Sequence, residues 1–170
     1  VPQALAAARP SDQSRDVHSG WSAPMLGAVL LLCGVMAAEL LLSVRQQSQT
    51  WDEAYHLLAG YRYLQEADYG INPEHPPLVK LLAALPLVPL QLSVPHLPQG
   101  TSKQEGFAAA RKFLYSNDAD ALLLRARLAA GILALVLALL VFEAARRMFG
   151  VGAAFLAMGV VVFEPNLLGH

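Results

Sequence analysis

One cysteine, Cys33, stands in a chain of 170 residues, so no disulfide can form within it and thiol content says nothing about redox compartment. Charge is scarce as well. Asp, Glu, Lys and Arg make up 15% of the chain and the formal net charge is −1. Without a basic stripe there is no electrostatic case for nucleic acid, whose phosphates have to be met by clustered Lys and Arg. Also missing are a His-Glu-x-x-His pair, paired cysteines, a glycine-rich phosphate loop and a serine nucleophile elbow. Those absences remove the motif-level grounds for a zinc protease, a thiolate zinc site, a P-loop enzyme and a serine hydrolase.

Apolar residues are what the chain has in abundance: 55% of positions, with a mean hydropathy of +0.42. They are gathered in blocks, and a block of roughly 18 or more is the length a bilayer core demands. The pattern predicts an all-α integral membrane protein with about three transmembrane helices and a long outer-face loop. Residues 1–23 read as a cytoplasmic tail and 24–44 as the first span, with Leu41 to Val44 offering no small-x-small cleavage site. Glu39, the one charge in that span, reads as an interfacial carboxylate or an intramembrane contact. Residues 120–142 form the second span, with Arg125 and Arg127 in its first turns. Residues 143–150 follow as a turn, and 151–170 as a third span with its outer-face end. Arg146 and Arg147 put the turn on the cytoplasmic side, because short loops beside spans follow the positive-inside rule. The loop at 45–119 then faces outward from the cell membrane.

Within that loop three amphipathic or interfacial helices are predicted, over 51–67, 76–92 and 103–115. In the first, Thr50 is the expected N-cap and Ala54, Leu57, Leu58, Tyr61 and Leu64 recur at helical spacing as the apolar stripe. Asp52, Tyr55, His56, Ala59 and Tyr63 fall on the other side with the small Gly60, and Asp52 and His56, four apart, become neighbours. Pro86 and Pro89 break the second segment and make it short for a span.

Most of the plausible chemistry lies in residues 51–80, WDEAYHLLAGYRYLQEADYGINPEHPPLVK. Asp52, flanked by Glu53 close to the membrane edge, is a candidate general base; the competing reading is two acids serving a helix N-terminus. Glu74 and His75 form an acid and an imidazole fixed before Pro76-Pro77, where His75 suits a phosphate. Lys80 adds charge there or snorkels beside Leu81 and Leu82. Tyr55, with Trp51, Tyr61, Tyr63 and Tyr69, suits stacking on a sugar or an interfacial aromatic belt. Asp52, Glu53, His56, Glu74 and His75 are all metal-ligand types, but no spacing among them makes a metal motif.

The combination resembles a known family. An apolar span, then DEAYH-x3-GYRYL, NPEHPPLVK, a span led by Arg125-x-Arg127-Leu128, an Arg-Arg-x-Phe-Gly turn and EPNLLGH look like the start of a membrane glycosyltransferase. The resemblance is to the superfamily of protein O-mannosyltransferases and aminoarabinose transferases, and it covers about residues 24–170. It implies the N-terminal part of a GT-C fold, a polyprenyl-phosphate-linked sugar donor and a hydroxyl acceptor on protein, lipid or glycan. It implies Asp52 as catalytic base, His75 on the lipid phosphate, and Glu74 as a weak candidate ligand for a possible divalent metal. Arg127 matches a basic residue that commonly leads the second span. Family members run to several hundred residues, so the chain is expected to be an N-terminal fragment, inactive alone. Two other classes stay open: a membrane-embedded metal hydrolase using Glu53, His56 and His75, and a non-catalytic membrane anchor or assembly subunit.

Overall fold

The computed structural model describes residues 20–98 and 100–165, and among them the only regular elements are helices. They are α1 (Ala23–Gln46), α2 (Glu53–Glu66), α3 (Pro77–Ala84) with a single 3-10 turn at Leu85–Leu87, α4 (Lys103–Tyr115), α5 (Ala119–Phe149) and α6 (Val151–Val162). Most of the expected tail, residues 1–19, and the last five residues of the expected outer-face end lie outside the described residues.

Two cores divide the molecule. Met25, Val29 and Met36 of α1 pack with Ala138 and Phe142 of α5 and with Ala154, Met158 and Val162 of α6. The other core joins α2, α3 and α4 to the first turns of α5 through Leu57, Leu58, Ala84, Leu87, Phe113, Leu114, Leu122 and Ala126. The fold is thus an apolar three-helix pack carrying a helical cap at one end.

α1 and α5 have 24 and 31 residues, roughly 36 and 46 Å at 1.5 Å per residue, and both exceed the roughly 30 Å of a hydrocarbon core. Their apolar windows are only 17% and 11% buried, unlike the core helices of a soluble protein. Leu30, Leu31, Ile132 and Leu140 all face outward. Two helices are therefore long and apolar enough to cross a membrane. Of the expected third span, the described residues hold α6, an apolar helix of 12 residues, about 18 Å long.

The turn expected over 143–150 is mostly helix. Glu143 accepts from Arg146 Nε at 2.8 Å and Arg147 Nε at 2.6 Å, pairs one turn apart that carry α5 on to Phe149. The chain reverses at Gly150, whose φ of 91° is natural only for glycine.

In the cap, α4 occupies the predicted 103–115. Ser102 accepts from the Glu105 amide while Glu105 accepts from the Ser102 amide, a reciprocal capping box. The predicted helix over 76–92 is shorter, because Pro86 and Pro89 stop it after α3 and the 3-10 turn. α2 differs most from expectation. It starts at Glu53 rather than Trp51, and Thr50 does not cap it; the Thr50 amide donates to Glu53 Oε2 at 3.2 Å. Nor are its sides polar and apolar: α3 and α4 cover both, so Tyr55, Ala59 and Tyr63 are as buried as Leu57 and Leu58, while Leu64 is exposed. Gly60 lets α3 lie against it, since a Cβ there would sit 2.1 Å from the Lys80 carbonyl oxygen.

Candidate active site

The site begins with an ion pair that fixes where α2 starts. Arg127 of α5 grips Glu53 through one guanidinium edge, Nε to Oε1 at 2.6 Å and Nη2 to Oε2 at 2.7 Å. Its other N–H groups donate to the carbonyls of Val44, Gln47 and Ser48 where the chain leaves α1. All five donors of a rigid planar fork are thereby used. One side chain ties the end of α1, the first turn of α2 and the first turns of α5 together. Glu53, expected beside the base as a second catalytic acid, is instead engaged in this knot.

Asp52 is the next residue back, and its carboxylate makes no capping hydrogen bond to α2. It turns to His56 instead, with Oδ2 at 3.3 Å from Nε2. The other ring nitrogen, Nδ1, lies 3.0 Å from Asn72 Nδ2, an amide donor. A neutral imidazole accepting there carries its proton on Nε2, and so donates to Asp52. Burial lowers the His56 pKa below the ordinary 6.5, with Asp52 opposing the shift. The ring is therefore neutral near pH 7 and its tautomer is set by Asn72. Asp52 remains half-exposed beside it, at 54%.

His75 completes the group. Its ring stands edge-on to the His56 ring with centroids 5.0 Å apart, and it is exposed. The 70–75 turn that presents it is held from beneath by Lys80, which is 3% exposed. Lys80 Nζ donates to Tyr63 Oη at 3.1 Å, to the Asn72 carbonyl at 2.5 Å and to the His75 carbonyl at 2.9 Å. Tyr63 in turn donates to the Ile71 carbonyl. Burial lowers the Lys80 pKa and raises that of Tyr63. Asn72 takes a left-handed φ of 54°, a conformation that asparagine tolerates better than most residues.

These contacts correct two sequence expectations. Lys80, expected on substrate or snorkelling, is an internal pin for the turn. Tyr55, expected on a sugar, is 6% exposed and stacks under Phe107 at 4.5 Å. Of the remaining aromatics, Trp51 is 80% exposed beside Asp52 and leans on Phe107 at 5.9 Å. Tyr69 is exposed and stacks on Tyr63 at 4.5 Å.

The Glu74 carboxylate meets Lys103 Nζ, 2.9 Å away at the start of α4, and that hydrogen bond lowers the Glu74 pKa. No local pattern marks Lys103, because a lysine 29 positions from Glu74 in a polar segment reads as an ordinary surface charge. As for a divalent metal, no group of three or more His, Cys, Asp or Glu side chains converges among the described residues. With Glu74 on Lys103 and Glu53 on Arg127, the side chains present do not fit an ion.

The structure thus brings Asp52, His56 and His75 together and holds Glu53, Lys80 and Tyr55 as support. No protein-family model, no curated protein and no solved structure matches the chain.

Proposed function

We propose that this chain carries the catalytic-base end of a GT-C-type membrane glycosyltransferase. The enzyme moves a sugar from a polyprenyl-phosphate donor to a hydroxyl acceptor at the outer face of the cell membrane. One observation carries the reading: an exposed carboxylate, free of helix capping, is hydrogen-bonded to a neutral imidazole beside a second imidazole at the end of two apolar helices. That is a proton acceptor next to a hydrogen-bond donor for an anion, and in the transferase reading the pair lies at the level of the lipid phosphates.

Asp52 Oδ1 takes the acceptor's proton while Nε2–H of His56 holds Oδ2 in place. The acceptor oxygen bonds to the anomeric carbon as the bond from that carbon to the phosphate oxygen breaks, so configuration inverts. The lipid phosphate leaves with the bonding electrons and needs donors preorganised around it. His75 is the first of these. The exposed apolar side chains of Leu78, Val79 and Leu85 on α3 and its 3-10 extension give the lipid tail a surface to lie along. The metal-hydrolase alternative is disfavoured because Glu53, one of its three ligands, has both oxygens on Arg127.

The substrate class is testable with membranes containing the full open reading frame. Radiolabelled sugar should pass to an acceptor from the polyprenyl-phosphate conjugate and not from the nucleotide conjugate, with the opposite anomeric configuration in product and donor. Transfer from the nucleotide sugar alone, or retained configuration, would contradict the proposal.

A further inference from the structure

Beside His75, two exposed charges are joined in a way that packing does not require. Lys103 and Glu74 have side chains 59% and 46% exposed and meet at 2.9 Å. The turn carrying Glu74 is already pinned by Lys80 and Tyr63. α4, which carries Lys103, is already anchored by Ala110, Phe113 and Leu114, each fully buried. Exposed pairs of this kind add little to stability and exchange readily for other partners. This one links α4 to the residue next to His75.

We propose that the Glu74–Lys103 bridge is the resting state of a phosphate-binding arm. An entering phosphate displaces the Glu74 carboxylate and takes Lys103, with His75, as its partner. The choice of phosphate rests on the transferase reading above; the exchange itself rests on the bridge. His75 brings a single imidazole, whereas an ammonium is a phosphate-binding point charge with three donors. While the site is empty, Glu74 neutralises that charge, and its own charge opposes an anion until it swings aside.

The two halves of the bridge should therefore move affinity in opposite directions. The test is binding of a short-chain isoprenyl phosphate to the full chain in detergent micelles, with inorganic phosphate and the uncharged isoprenol as comparators. Glu74→Gln should bind the isoprenyl phosphate about two- to fivefold more tightly. Lys103→Gln should bind it about tenfold more weakly, the double variant should match Lys103→Gln, and Lys103→Arg should stay near wild type. The isoprenol should be indifferent to all four. The same opposed movement with inorganic phosphate alone supports the arm and assigns it to free phosphate rather than a lipid head. If Glu74→Gln and Lys103→Gln weaken binding alike, or neither alters it, the bridge is only a surface contact and the proposal falls. Wild-type protein that binds neither phosphate overturns the inference and also removes the transferase reading on which it rests. Thermal unfolding of each variant separates these outcomes from misfolding.

Discussion

At the scale of single residues, the arrangement turns on His56. Its burial lowers its pKa below 6.5, so the unfolded chain binds a proton more readily than the folded one. Stability should accordingly fall as pH drops from the unfolded value through the lower folded one, and it should be insensitive to this group above that window. His56→Gln should flatten the fall in an unfolding series between about pH 7.5 and pH 5. The same variant should slow transfer by less than loss of Asp52 does, because it orients the base without receiving the acceptor's proton. Lys80 tests differently. Lys80→Met leaves the buried Asn72 carbonyl without this donor and loosens the turn, at a cost of about 2–4 kcal/mol in chemical denaturation. Asp52 and His56 were legible as a pair from their spacing alone. Lys80 was not, since the sequence cannot show that three acceptors curl back over one ammonium.

At the scale of elements, Arg127 and Gly60 hold the cap in place. Arg127→Ala strands the largely buried carboxylate of Glu53, 20% exposed, and should cost about 3–5 kcal/mol. Arg127→Lys should recover little of it, because a single ammonium has too few donors for two carboxylate oxygens and three carbonyls. Gly60→Ala forces a Cβ into the Lys80 carbonyl and should cost roughly 3 kcal/mol or more by separating α2 from α3. Circular dichroism melts of the three variants in detergent would measure these losses. What the sequence revealed here was local. The α4 boundaries could be read because amphipathic spacing is written within one stretch of chain. The Glu53–Arg127 pair joins positions 74 apart, and no local pattern marks it. For the same reason α2 appeared two-sided: Tyr55, Ala59 and Tyr63 look like a solvent face until α3 and α4 are seen to cover them.

At the scale of the whole molecule, the account needs the cap outside and the Arg146–Arg147 end inside. Cys33 is the sole cysteine, so Cys33→Ala gives a background for labelling with a membrane-impermeant thiol reagent. Ser116→Cys, exposed next to α4, should label in intact cells, and Met148→Cys, exposed beside Arg147, only after the membrane is opened. The opposite pattern would put the site on the wrong side for an outer-face transferase. Apolar blocks made α1 and α5 legible as helices long and apolar enough to cross a membrane, and the third block as the apolar helix α6.

The central claim is that Asp52 accepts the proton while the donor is held elsewhere in the same site. Asp52→Asn, in the full open reading frame, tests it most directly when sugar transfer and lipid-donor binding are measured on one preparation. Transfer should fall by about 100- to 10,000-fold with donor affinity unchanged. Transfer at the wild-type rate, or loss of donor binding in step with loss of transfer, would contradict the account.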